Sequence, residues 1–499
     1  MPYNLHPISV PYRILQSAVG LVPMLFILAF VGSQAIGFIG PLFVLLLLGG
    51  IGAIVGWQIA YYRRFEYALT SDTFDIHSGV ISRRNREIPY RRIQNVDISR
   101  SMVQRALGIA ELRLETAGGT SSEAHLRYVG YEEAKRLQNA LRDREHELDL
   151  ADEDTDGEPA GNAIYEITTP ELGVLAVASF DLRVASFLIV ILTFLGAEAF
   201  ALLFAIPIEP IVTIAAIGLF VILASAILSG GSAIINNYGF ILSRIGDELR
   251  YERGLLQRYD GSIPIDKVQT LVLQENVLKR VLGYASLTVE TAGYGPGQGA
   301  ESSRAVPIAA RSRTMDIASQ IESSAMDLSF HRPSSRARVR YTVQYALIVV
   351  VLTLVAFGVD WQFGVLAEWW AVPALIILAP VAAHYKWKHR GYALADEAIM
   401  TRTGFWRRRT HIVPYYRIQT VDESQTVLQR RWHISTVIVD TAGSSGLVAG
   451  SPIAYDLDEQ DATRLRQRLS AELQESLVVR KRRRRGARAR FVQGVRGIW

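Results

Sequence analysis

The chain has 499 residues, 49% hydrophobic and 20% charged, and its mean hydropathy is positive, so the apolar residues must be segregated into blocks. The absence of cysteine excludes disulfides and thiolate metal sites. A net charge of +5 averages over an acidic stretch, Glu145 to Glu158, and a strongly basic C-terminal tail.

Six apolar blocks come in three pairs: Ile14 to Val31 with Ile36 to Tyr61, Ser186 to Ile206 with Ile208 to Ser229, and Thr342 to Val359 with Trp369 to Ala383. A helix needs about 20 apolar residues to cross a bilayer. The sixth block is short, but Trp369, Trp370, Tyr385 and Trp387 bracket it as interfacial aromatics do. All six are read as transmembrane helices in three hairpins. No small-residue cleavage pattern follows the first block, so a removable signal peptide is not expected. The loops inside the pairs (Gly32 to Ala35, the Pro207 turn, Asp360 to Glu368) hold no lysine or arginine. Arg13, Arg63, Arg64, Arg183, Arg336, Arg338, Arg340, Lys386 and Lys388 flank the other ends. This bias places the folded domains and both termini on the cytoplasmic side of the cell membrane.

The expected order is helices 1 and 2 in residues 1–62, a domain in 63–148 and an acidic, disordered linker in 149–163. An interfacial helix and helices 3 and 4 take 164–233, and a second domain 234–325. A basic segment with helices 5 and 6 takes 326–385, a third domain 386–475 and a polybasic tail 476–499. The domains share a forty-residue block that recurs without a gap at Gly79 to Gly118, Gly254 to Gly293 and Gly404 to Gly443. The period is too long for a solenoid, so this is a triplicated domain.

In the first copy, Phe65 to Thr70, Thr73 to His77, Arg86 to Ile88, Ile93 to Ile98 and Leu112 to Thr116 read as strands. A short helix begins at a capping residue in every copy, Ser101, Asn276 and Thr426. It ends at Gly108, Gly283 or His433. A closing amphipathic helix shows as Ala134, Leu137 and Leu141 in the first copy and Ala462, Leu465 and Leu469 in the third. Upstream of the third span, Thr169-Pro170-Glu171 reads as a helix start with Thr169 as cap, leading into an apolar helix, Leu172 to Ala178, for the membrane interface.

Eight columns are identical across the copies. They are the opening glycine; Arg83, Arg258 and Arg408; Pro89, Pro264 and Pro414; Gln94, Gln269 and Gln419; Arg105, Arg280 and Arg430; and the closing Thr-Ala-Gly. The pattern Ile/Val-Pro-x-x-x-Ile/Val-Gln, a polar cap, x-Val/Leu-x-Arg-x-Leu-Gly and Val-Glu-Thr-Ala-Gly resembles the bacterial pleckstrin-homology-like (PH-like) domain of the membrane-flanked, YdbT-like family. The resemblance covers nearly the whole chain. It implies an α+β fold in which each helical pair is followed by a cytoplasmic antiparallel β barrel or sandwich with a C-terminal helix. The third copy departs where Trp432-His433 replaces Leu-Gly and Asp440 replaces Glu.

Two readings compete for the repeated polar residues. The glutamine, proline and second arginine columns are read as structural, a strand glutamine tying its amide to nearby backbone. The basic residues Arg83, Arg84 and Arg86, then Arg258, then Arg407, Arg408 and Arg409 are candidates for anionic lipid or a protein partner. The alternative is a solvated face that merely obeys positive-inside statistics. The tail, including Arg482, Arg483, Arg484 and Arg485, favours anionic lipid over nucleic acid. Glu198 is the one carboxylate inside an expected span, either a transport group or a protonated carboxyl bonded to a neighbouring helix. No motif indicates a metal, a cofactor or catalysis; Gly293 to Gly299 leads into a strand rather than a helix N-terminus. The expectation is a non-catalytic membrane scaffold or adaptor that binds a protein not identified by sequence and anionic headgroups, with oligomerisation left open. The alternative is a transporter or export accessory in which the domains regulate the six helices.

Overall fold

The computed structural model describes residues 3–14, 16, 40–116, 124–149, 162–180, 183–189, 210–291, 304–323, 328–364, 369–442 and 451–476. The chain forms two compact units, Met1–Ala160 with Arg250–Pro264, and Gly161–Leu249 with Ile265–Trp499.

In the first unit the helix Gly40–Arg64 leads directly into an antiparallel meander of Glu66–Leu69, Thr73–Ser78 and Arg84–Pro89. Alternation in Thr73–Ser78 turns Phe74 and Ile76 inward. A second sheet of Ile93–Ser101, Ile109–Thr116 and Ala124–Gly130 faces it. Phe65, Tyr67, Phe74, Ile88, Tyr90, Leu112 and Leu126 fill the core, and Ala134, Leu137 and Leu141 of the helix Tyr131–Asp149 close it. Gln138 on that helix donates to the Val96 carbonyl at 2.8 Å, which satisfies a buried amide.

The identical columns answer local backbone demands. Gly79, Gly254 and Gly404 have φ of +110°, +103° and +89°, and a Cβ there would meet the carbonyl oxygen three residues on at 1.9, 1.9 and 2.1 Å. Only glycine fits such a turn. Pro89, Pro264 and Pro414 end a strand and lead into a one-turn 3-10 helix. The amide of the next residue bonds back to Asp72, Asp247 or Glu397. The ladder register then slips at the glutamine column, between Ile93 and Asn95, Val268 and Thr270, and Ile418 and Thr420. The repeated glutamine therefore occupies a β-bulge, a feature that bends a strand at a fixed place. Gln269 donates from Nε2 to the Lys267 carbonyl at 3.2 Å. Ser101, Asn276 and Thr426 each accept the amide three residues on, as helix caps do.

In the second unit a six-stranded sheet runs in the order Arg304–Ala310, Tyr284–Thr291, Val268–Asn276, Arg407–Pro414, Ala398–Thr403 and Gly391–Leu394. A three-stranded sheet of Ile418–Ser424, Ile434–Thr441 and Ile453–Asp458 packs with Ala462, Leu465 and Leu469 of the helix at 459–476. The helix before the third expected span is Thr169–Ala178, capped by Thr168 rather than Thr169. Both the Thr168 amide and its hydroxyl reach Glu171 Oε2 at 2.9 Å. Its Leu172, Leu175 and Ala178 are buried, and Asn276 donates to the Ala178 carbonyl at 2.6 Å. The helix thus packs on protein through this face.

A short segment ahead of each pair of apolar blocks joins a sheet beyond that pair. Tyr3–Asn4 pairs with Glu66–Leu69, Asn162–Glu166 with Ile241–Ile245, and His331 bridges Tyr392. Among the described residues, two helices are long and apolar enough to cross a membrane, Gly218–Asn237 and Arg336–Gln362. The sixth expected span is a 3-10 helix, Trp369–Leu378, followed by the α-helix Ala379–Lys388. Most of the first and third expected spans lies outside the described residues.

Candidate functional site

Strand exchange between repeats builds the chemistry of both units. In the first unit Gln257–Pro264, from the second repeat, lies antiparallel to Ile93–Ser101 of the first, with Gln257 opposite Ser101 and Asp260 opposite Ile98. In the second unit Arg407–Pro414 of the third repeat pairs with Val268–Asn276 of the second, with Arg407 opposite Asn276 and Ile412 opposite Leu271.

Arg408, expected in a lipid-facing cluster, instead donates two 2.8 Å hydrogen bonds to Glu275 across this second junction. Arg311 adds a third at 3.1 Å, and Glu275 is 3% exposed. Arg258 pairs with Glu252 at 2.5 Å. Arg83 and Arg84 are exposed and Arg86 is half-buried at a sheet edge. The second arginine column serves the junctions: Arg105 reaches the Leu255 carbonyl at 3.3 Å, and the Arg280 guanidinium lies 5.2 Å from the Phe405 ring. Arg430 is exposed, as is Gln419. Glu198, Arg482, Arg483, Arg484, Arg485 and the side chain of Gln94 lie outside what is described.

Arg407 and Arg409 line a cavity of about 410 Å³ in the second unit, with Lys279 beside them. Its other wall is the end of the apolar helix Gly218–Asn237, through Ser229, Ser232, Asn236 and Asn237, and the floor carries Phe180, Val184 and Leu228. Ser229 Oγ and Asn237 Oδ1 are buried here without a protein partner. Lys279 Nζ donates to Ser286 Oγ at 2.5 Å, which orients the ammonium group. The carboxylate in the lining, Glu275, is already neutralised. Cations and hydrogen-bonding groups over an apolar floor suit an anion that carries an apolar tail.

The same strand as Arg407 and Arg409 holds His411, buried with both ring nitrogens unpartnered. Burial, helped by Arg409, holds it down at about 4. An imidazole whose folded value lies below its unfolded value stabilises the fold above about pH 6.5 and loses that contribution as pH falls toward 4. His411→Leu should therefore flatten the fall of the thermal midpoint between pH 7 and 4.5. Parallel curves for the two proteins would refute this. Burial acts oppositely on Glu290, pushing its carboxyl up to about 7 against the pull of Arg409.

A second constellation ties the helix Arg336–Phe363 to the third domain. Asp456 is fully buried at a φ of +54°. It accepts from Arg340 at 2.5 Å, from Gln429 at 2.7 Å and from the Tyr341 hydroxyl, with Arg390 at 3.7 Å. The first domain solves the same problem with different chemistry. Tyr128, at the matching strand position with a φ of +71°, donates to Gln16, and Arg13 sits between the Tyr61 and Tyr128 rings. A cavity of about 540 Å³ opens there beside Trp57 and Arg127.

Sequence reasoning missed Glu275, Lys279, Asn237 and Asp456. Glu275 aligns with Arg100 and Gln425, so no identical column marks it. The one available signal for Asp456 was an acid within the apolar strand pattern Ile453-Ala454-Tyr455-Asp456-Leu457.

Antiparallel sheets closed by a C-terminal helix, repeated along the chain beside apolar helices, define a membrane-associated protein of PH-like domains. The bacterial PH domain model matches residues 22–145, 179–325 and 342–473, and the chain belongs to that family. It is 23% identical to the UPF0699 transmembrane protein YdbT of Bacillus subtilis (strain 168) over 498 residues, covering 92% of this chain and 96% of the relative. It is 26% identical to the UPF0699 transmembrane protein YdbS of the same organism over 129 residues, 25% of this chain and 76% of that one. No solved structure matches the chain.

Proposed function

We propose that the protein is a non-catalytic scaffold of the cytoplasmic membrane, with six spans, PH-like domains and termini on the cytoplasmic side, and a headgroup site for anionic lipid. The observation that carries the lipid half is the cavity in which Lys279, Arg407 and Arg409 share the lining with the unpartnered Asn237 Oδ1 and Ser229 Oγ at the end of an apolar helix. A phosphate-bearing headgroup would accept from the cations and from Ser229, while Asn237 Oδ1 would take a glycerol hydroxyl. The acyl chains would continue along Leu228 and Phe180.

Because strands are exchanged between repeats, the test uses the full chain in detergent. Phosphatidylglycerol should raise the thermal midpoint and phosphatidylcholine should not. A ligand at 100 times its Kd contributes about 2.7 kcal/mol. Lys279→Gln with Arg407→Gln and Arg409→Gln should abolish the difference. Equal shifts with both lipids, or a full response from the triple variant, would remove the cavity from the reading.

A further inference from the structure

The strand after the opening glycine enters each internal junction by one rule. The residue opposite Gln257 is Ser101 and that opposite Arg407 is Asn276. These pairs are the same two columns of the repeat, so the register is identical at both junctions. The arginine that braces each junction, Arg105 or Arg280, meets Leu255 or Phe405, which again share a column.

Among the described residues, two strands of these types end their sheets: Arg84–Pro89 of the first repeat and Ile418–Ser424 of the third. Their environments differ from those of the junction strands in the expected way. Asn85 and Glu87 are exposed where the aligned Thr410 and Ile412 are buried. Gln419 and Thr420 are exposed where Gln269 and Thr270 are buried. An open edge presents unpaired backbone groups in a row, a template for another strand.

We propose that these edges are the two halves of an intermolecular junction, so that copies of this chain join head to tail by strand pairing in the internal register. That register sets Arg83 opposite Gln425, Arg84 opposite Ser424 and Arg86 opposite Asp422. Charge selects this pairing. Arg83, Arg84 and Arg86 outnumber Glu87 and make the first edge basic, while the second presents the exposed Asp422; the neighbouring Glu423 is held within its own domain by Ser435 and Arg466. Opposite charges facing across strands stabilise an antiparallel pair, and like charges destabilise it. Two copies of the same edge would bring arginines together or carboxylates together, which disfavours a symmetric dimer. The contact is therefore heterologous and builds a ring or a filament, according to whether its rotation closes. It also leaves exposed Arg430 in the place that Arg105 and Arg280 occupy inside the chain. The inference rests on the scaffold reading, for which it supplies the protein partner, and it stands apart from the headgroup cavity.

The chain has no cysteine, so disulfide trapping can be done in the full protein. Residues facing each other on antiparallel strands have Cα atoms about 4.5–5.5 Å apart, inside the range for a disulfide, about 4.4–6.8 Å. Arg84→Cys and Ser424→Cys variants, reconstituted together in phosphatidylcholine vesicles and oxidised, should give a mixed dimer. The double variant should give a ladder of multimers. Arg84→Cys with Thr426→Cys, two residues out of register, should cross-link far less. In the double-cysteine background, Arg86→Asp or Asp422→Arg alone should shorten the ladder, and the two together should restore it. Absence of cross-linking would overturn the proposal, as would equal yield out of register. A monomer-sized internal cross-link would place both edges in one chain and equally overturn it. Since the assay contains no anionic lipid, a ladder here together with a failed lipid response would discard the cavity and keep the assembly.

Discussion

Asp456→Asn should unfold the third domain at least 6 °C below the wild type. The carboxylate is fully buried and faces Arg340, Arg390, Tyr341 and Gln429. Asparagine keeps the shape but leaves two largely buried guanidinium groups without a counter-charge. Removing one member of a buried ionic network costs about 3–5 kcal/mol. For a cooperative unit of about 150–250 residues, the third domain with the repeat its sheet continues into, that corresponds to a loss of roughly 6–20 °C in midpoint. Arg390→Gln added to Asp456→Asn should recover part of the loss, because it removes one of the stranded charges. The measurement is thermal unfolding in detergent, followed by limited proteolysis between residues 386 and 476. A shift under about 2 °C, less than 1 kcal/mol, would mean that this cluster does not hold the helix to the domain.

The second large effect should come from Glu275→Gln. Glu275 joins three segments, its own strand, the third repeat through Arg408 and the strand-to-helix corner through Arg311. Loss of its charge leaves Arg408 and Arg311 facing each other, again at a cost of about 3–5 kcal/mol. Here the expected damage is to the joint rather than to one domain. Hydrogen exchange should accelerate in both Val268–Asn276 and Arg407–Pro414, while the helix at 459–476 stays protected. Glu275→Gln with Arg408→Gln should be milder than Glu275→Gln alone. If exchange in the paired strands is unchanged, their backbone ladder suffices without the ion pair.

What the sequence showed of the fold was what each repeat must do locally. Gly79, Gly254 and Gly404 stand where a side chain would strike a carbonyl, and Gln94, Gln269 and Gln419 mark one bulge. Leu137 and Leu465 mark the closing helices. Such requirements recur in every copy and therefore survive as identical columns. The junctions left one such trace, the column of Arg105 and Arg280, and nothing in the sequence tied it to a junction, because a strand's partner lies in another repeat and the facing residues differ each time. Arg258 faces Arg100, whereas Arg408 faces Glu275. The candidate site was legible only in part for the same reason. Arg407 and Arg409 stood out as a basic cluster, but Lys279 and Asn237 come from positions far away along the chain, with no periodicity to connect them. The arginine column of Arg83, Arg258 and Arg408 suggested lipid, yet two of its members are occupied by glutamates.

The short segments that precede the paired apolar blocks also set a timetable for synthesis. Tyr3–Asn4 leaves the ribosome some sixty residues before Glu66–Leu69, the strand beside which it rests. At about 5–20 residues per second, it waits roughly 3–13 s while the intervening chain is made. Each domain is thus completed only after the apolar blocks ahead of it have been made, and the strand that pairs with Ile93–Ser101 of the first repeat arrives with the second. A chain that stalls before the next repeat is made would leave the sheet of the first with an unclosed margin, an exposed strand that marks the unfinished protein.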